Sequence, residues 1–214
     1  MSERTRIRRI PENAVTDKDA LVAILDAGIV ANVAVVDDGQ PFILPVAYAR
    51  RDDAVIFHGS TGSRLFRALD HGAPTCFSVT HVDGIVAARS AFHSSMHYRS
   101  AMVLGVAHRL TGEDELDALR VLTEHLIPGR WADARHPNPK ERAKTMTLAL
   151  PLDEWSVKVG DGPPQDDPED YTQEPWASVW AGVIPMVQRP GIPIPDAVTQ
   201  ARGTPLPAYL AFDQ

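Results

Sequence analysis

The chain has 214 residues, is 44% hydrophobic and 23% charged, and carries a formal net charge of −7. Its length suits one compact domain, or one domain with an extended arm, and its acidic balance excludes the concentrated basic face that an electrostatic grip on nucleic acid needs. A single cysteine, Cys76, excludes an intrachain disulfide and every Cys-based metal cluster, and it lies in the apolar run TCFSV as a small hydrophobe would.

The basic cluster Arg4, Arg6, Arg8 and Arg9 is short, is followed by Pro11 and Glu12, and reads as a solvated arm. The opening residues have no apolar stretch of the secretory kind, and no window approaches the roughly 20 apolar residues that span a bilayer. The expectation is a soluble, cytoplasmic protein without membrane or nucleic-acid partners.

The spacing predicts a helix over 16–27, with Thr16 as its N-cap, apolar Leu21, Ile24 and Leu25, and Gly28 as its stop. β-rich runs over 29–36 and 42–49 are separated by Asp37-Asp38-Gly39-Gln40, a hairpin composition. Pro45 assigns the second run to an edge or a bulge, where a missing N–H does no harm. A third strand over 54–58 runs into Gly59-Ser60-Thr61-Gly62-Ser63-Arg64 and a short helix to about Leu69. Strands follow over 75–81, 85–89 and 101–110, helices over 113–126 and 140–144, and final strands over 146–150 and 155–159. From about Gly160 prolines accumulate among Tyr171, Trp176, Trp180, Ile184 and Tyr209. That composition suits an arm over 161–214 wrapping a body formed by 1–160, or wrapping a partner subunit, rather than a domain. Short strands, hairpin connections and no β-α-β alternation indicate an antiparallel barrel with accessory helices. No GxGxxG and no Walker lysine loop is present.

Two segments can carry chemistry. In Phe57-His58-Gly59-Ser60-Thr61-Gly62-Ser63-Arg64, hydroxyls, glycines and an arginine stand between a strand and a helix start. A phosphomonoester is met by such a set, through a bidentate guanidinium, hydroxyl donors and free N–H groups. The same residues also make an ordinary turn with a capping serine and a solvent-facing arginine. The second segment, Asp83 to Ser100, packs donors, imidazoles and aromatics into an apparent connecting loop. A flavin ring wants donors near N5 and its carbonyls beside an apolar wall, and this run offers both. His93 and His97 also read as loop histidines, Tyr98 as a core aromatic, and Arg89 and Arg99 as ion-pair residues or anion ligands. A zinc site at His93 and His97 is disfavoured by the β-rich surroundings. No GxSxG elbow marks a hydrolase.

At these segments the sequence resembles the pyridoxamine 5'-phosphate oxidase-like, FMN-binding split-barrel family, in particular its nitroimidazole-resistance-like, flavin-nucleotide-binding branch. The resemblance is carried by Arg9-Ile10-Pro11-Glu12, Gly39-Gln40-Pro41, Leu44-Pro45, His58-Gly59-Ser60, Ser63-Arg64, Asp83-Gly84, the run Ala88 to His93, and Tyr98-Arg99-Ser100. It continues in Pro128-Gly129-Arg130-Trp131, Gly162-Pro163-Pro164, Asp170-Tyr171 and the run Trp180 to Pro185. It implies a six-stranded antiparallel split β-barrel, a homodimer, and a flavin, FMN before FAD, in each interface cleft. Ser63 and Arg64 would hold the flavin phosphate, and His58 and Ser60 would be cofactor-binding as well. Pro45 and Val46 would lie along the isoalloxazine, Tyr98, Arg99 and Ser100 would line the cleft from either subunit, and Trp180 would close over the ring edge. Ser94 and His97 depart from the histidine and asparagine usual at their positions. The function implied is an FMN-dependent oxidoreductase acting on a small oxidised molecule. The alternatives are a flavin, deazaflavin or haem carrier, with eight histidines available for haem, and pyridoxamine 5'-phosphate oxidation itself.

Overall fold

The computed structural model describes residues 2–211. Its body is an antiparallel sheet built from β1 (Ala14–Val15), β2 (Val30–Asp37), β3 (Gln40–Arg51), β4 (Ala54–Ser60), β5 (Pro74–Ala87), β6 (Ser95–Val106), β7 (His108–Arg109), β8 (Thr145–Pro151), β9 (Glu154–Gly160) and β10 (Gly182–Pro185). The helices are α1 (Lys18–Ala27), α2 (Arg64–Asp70), α3 (Gly112–Leu126), α4 (Arg130–Asp133), α5 (Pro139–Ala143) and α6 (Ala197–Arg202). The strand order is β1-β9-β6-β5-β2-β3-β4-β8-β7, with β10 added to β5.

The sheet curls around one core. Val33 and Val35 of β2, Tyr48 of β3, Phe57 of β4, Phe77 of β5, Val103 of β6, Leu148 of β8 and Val157 of β9 all belong to a single buried cluster. α1 contributes Leu21, Ile24 and Leu25 to it, and α2 contributes Leu65, Phe66 and Leu69. α3 covers the opposite face of β3, β4 and β8 through Ala118 and Leu122, which pack on Ala49, Ile56 and Ala149. The result is an antiparallel split barrel. The sheet has ten strands among the described residues where six were expected: β1 and β7 are two-residue pairings, β10 comes from the arm, and seven longer strands form the body.

Several boundaries differ from the sequence expectation. α1 starts one residue later than expected, since Asp17 rather than Thr16 is the cap, accepting from the Asp19 N–H. The strands expected over 75–81 and 85–89 are one strand, β5, whose pairing with β6 shifts register between Val82 and Gly84. β6 begins at Ser95, six residues before the expected start, so Tyr98, Arg99 and Ser100 stand on a strand and only 88–94 form a loop. The hairpin between β2 and β3 turns on Asp38 and Gly39, both at positive φ (51° and 73°), as a tight two-residue turn requires.

Pro45 stands opposite Asn32 in the β2–β3 ladder. The Tyr48 N–H bonds Ile29 O on the β2 side, so by two-residue alternation the N–H missing at Pro45 points away from β2. β4 pairs with β3 only from Tyr48 onward, which leaves the side of β3 beyond Pro45 open. From Gly182 to Pro185 the arm pairs with Gly84–Ala87. Its end returns to the body through Tyr209, whose hydroxyl donates to Asp133 Oδ2 at 2.7 Å and accepts from Arg130 Nη1 at 3.1 Å.

Candidate functional site

The end of β4 and the start of α2 form the first polar group. Gly59 is needed there, because a Cβ would run into the Phe66 ring that seals the core beneath. The Gly62 N–H bonds Ser60 Oγ at 3.1 Å and the Ser63 N–H bonds Ser60 O at 2.9 Å, a tight turn that delivers the chain into α2. Ser63 is the N-cap residue, but its side chain makes no capping bond. Its hydroxyl is therefore available to a ligand.

Arg64 is held from two sides. Its Nε donates to Asp37 Oδ2 at 2.6 Å, and its guanidinium carbon lies 3.9 Å from the centre of the Phe42 ring. Stacking and a single-edge bond fix the plane while leaving the Nη edge free, as bidentate recognition of a phosphate needs. His58 precedes this turn with more than a third of its surface exposed, yet the surrounding protein pushes its pKa down by desolvation. That desolvation disfavours the charged imidazole.

Sequence reasoning passed over Asp37 and Phe42, the residues that fix Arg64; they sit on β2 and β3, and only the hairpin fold brings them to α2. Beside Arg64 opens a cleft of about 570 Å³, lined by Val36, Asp37, Arg64, Arg67, Ala68, His71, Gly72 and Ala73. Arg67 forms no side-chain hydrogen bond or ion pair among the described residues.

The second group lies elsewhere. Arg99 forms a two-bond pair with Asp83, at 2.8 and 2.9 Å, and this pairing, above all, holds the Asp83 carboxyl below its usual range. Ser100 Oγ lies 3.5 Å from Lys158 O, and Tyr98 and His97 are half-buried. Arg89 reaches Asp166 of the arm at 3.4 Å and lies 4.8 Å from the Tyr171 ring centre, while the Ser90 N–H donates to Asp166 at 2.9 Å. His93 Nε2 stands 3.3 Å from Asp167 without hydrogen-bonding geometry. Ser94 closes its own loop, accepting from the Ala88 N–H and donating to Ser90 O. Trp180 is 67% exposed.

The two groups stand at different levels of the sheet. Arg64 lies at Asp37, the last residue of β2, whereas Arg99 is opposite His81, three residues beyond the Ser78 that pairs with Asn32, a level that the same register extends to Ile29. Eight strand residues separate those levels, about 26 Å. Pro45 lies between them, exposed, with Val46 buried beneath β3.

A curled antiparallel sheet of this strand order around one core is a split barrel. The chain belongs to the pyridoxamine 5'-phosphate oxidase family, whose model matches residues 17–159. Among solved structures it is similar to the FAD and heme binding protein from Mycobacterium smegmatis, with 41% identity over 92% of this chain and 95% of that one, at a TM-score of 0.87. It is also similar to the flavocytochrome Anf3 from Azotobacter vinelandii, with 38% identity over 98% and 95%, at a TM-score of 0.89. A 5-nitroimidazole antibiotic resistance protein from Bacteroides thetaiotaomicron shares the fold alone, at 19% identity over 68% of this chain and 86% of that one, with a TM-score of 0.59. No curated protein matches the chain.

Proposed function

We propose that the protein is a flavin-dependent oxidoreductase that holds FAD in preference to FMN, carries a haem beside it, and works as a homodimer on a small oxidised acceptor. The observation that carries the flavin reading is Arg64, oriented by Asp37 and Phe42 with its Nη edge open beside the hydroxyls of Ser60 and Ser63. FAD is favoured over FMN, and haem is added, by the two relatives at 41% and 38% identity, one an FAD and heme binding protein and the other a flavocytochrome. A flavin supplies one- and two-electron transfer and a haem one-electron transfer. The residues of this chain supply binding, orientation and exclusion of water: Arg64, Ser60 and Ser63 grip the phosphate, and Pro45 borders the ring along the open side of β3, while Val46 packs in the core beneath it.

A second copy completes the cleft in this reading. Tyr98, Arg99, Ser100 and Trp180 come from the partner, since one chain keeps the Tyr98–Ser100 segment about 26 Å from Arg64 along the sheet. The outward face of the sheet supports pairing, because Val30, Val36, Ile43 and Val106 are each about half exposed or more on one side of it.

Titration of the flavin-free chain with FAD and FMN, followed by quenching of flavin fluorescence, tests the reading. Tight FAD binding that weakens by about tenfold or more in Arg64→Ala is expected, as for loss of a charge-assisted bond of ~1.5–3 kcal/mol. Equal binding by the variant removes Arg64 from the site.

A further inference from the structure

We infer that His71 is the axial haem ligand of this chain, with Arg67 pairing a haem propionate, in the cleft along α2; this rests on the haem component of the function proposed above. The backbone at His71 is fixed. Gly72, at φ 82°, donates to Leu69 O at 2.9 Å and Ala73 donates to Ala68 O at 3.1 Å, the paired bonds of a Schellman cap that end α2 at His71. The ring is fixed as well. His71 Nδ1 lies 2.6 Å from Arg67 O, and since a carbonyl only accepts, Nδ1 carries the proton and Nε2 presents its lone pair. That second bond to a carbonyl is how a metal-ligating imidazole is commonly oriented and its basicity raised.

The other histidines are arranged differently. In His81, His125 and His136 it is Nε2 that meets a backbone carbonyl, of Ile24, Gly28 and Trp131 respectively. His93 Nε2 faces Asp167, and His58, His97 and His108 make no ring hydrogen bond among the described residues. Among the described residues only His71 combines an Nδ1 bonded to a backbone carbonyl with an Nε2 that makes no hydrogen bond, and it lines a cleft.

The cleft has the chemistry of the group. Its volume of about 570 Å³ falls in the ~300–1,000 Å³ range of cofactor sites. Val36, Ala68, Gly72 and Ala73 give an apolar wall with little side-chain bulk, and Val36 is left 61% exposed on it. Arg67, one turn before His71 on the same helix face, is a cation without a carboxylate in a chain of net charge −7. Arg64 lies one turn further on, so about 10 Å of helix separates the phosphate anchor from the ligand. No cluster of three or more His, Cys, Asp or Glu residues exists among the described residues, so a metal here has to bring its own equatorial ligands, as a porphyrin does.

The test uses the full chain, hemin as probe, and the Soret band as readout, with flavin content measured on each sample. The wild type is expected to take up hemin with a shifted Soret band. His71→Gly is expected to lose at least ~10-fold in hemin affinity while retaining flavin, and added imidazole is expected to restore the band. Arg67→Ala is expected to weaken hemin retention without moving the band, and His108→Ala to behave as the wild type. A wild-type Soret band kept by His71→Gly overturns the assignment but leaves haem binding standing. A wild type that takes up no hemin overturns both. Hemin loss that imidazole does not reverse, in a variant that still holds flavin, also overturns ligation by His71.

Discussion

At the scale of single residues, the site depends on side chains held by partners that the local sequence does not contain. Arg64 is aimed by Asp37 and Phe42 across the β2–β3 hairpin, and desolvation by the surrounding protein lowers the pKa of His58. The depressed pKa of His58 has a consequence for stability. Between its folded value and the roughly 6.5 of an unfolded histidine, the unfolded chain binds more protons, so stability is full above that pH and falls as the pH drops through the folded value. Urea midpoints between about pH 8 and pH 5 are expected to decline less steeply for His58→Asn than for the wild type. Parallel declines would show that His58 titrates as an exposed group.

At the scale of elements, the join between β4 and α2 governs the phosphate anchor. Gly59→Ala pushes a methyl into Phe66, which is buried in the main core, and overpacking of this kind costs about 1–3 kcal/mol. Chemical denaturation is expected to show that loss together with weaker flavin binding, because Phe66 and Arg64 share one short helix. Unchanged flavin affinity in a destabilised Gly59→Ala would separate the anchor from the packing beneath it. The hairpin at Asp38-Gly39, the helix ending at Gly28 and the strand running into Ser60 were legible in the sequence because turn chemistry and apolar period agree there. The start of β6 was not. Residues 95–100 extend past the core and are exposed or half-buried on both faces, so no apolar alternation marks them as strand. His71 also went unread, although Arg64, Arg67 and His71 followed by glycine share a helical spacing; nothing local says that the cleft beside them is formed by Val36 and Asp37.

At the scale of the whole molecule, family and fold follow from many short ordered blocks, whereas the site needs tertiary and, in the proposed reading, quaternary structure. With Arg64 from one chain and Tyr98–Ser100 from the other, a hybrid dimer of Arg64→Ala and Tyr98→Ala collects both lesions in one cleft and leaves the other intact. Co-refolding the two variants is expected to recover roughly a quarter of the wild-type flavin occupancy, as random pairing in a two-fold dimer gives. No recovery would place both groups in a single-chain site. The central claim, that this chain is a flavin- and haem-carrying redox protein, is tested most directly by the absorption spectrum of the purified full chain, with its released chromophores identified by mass. The account predicts flavin bands that yield FAD together with a Soret band. A colourless protein that takes up neither added flavin nor hemin would contradict it.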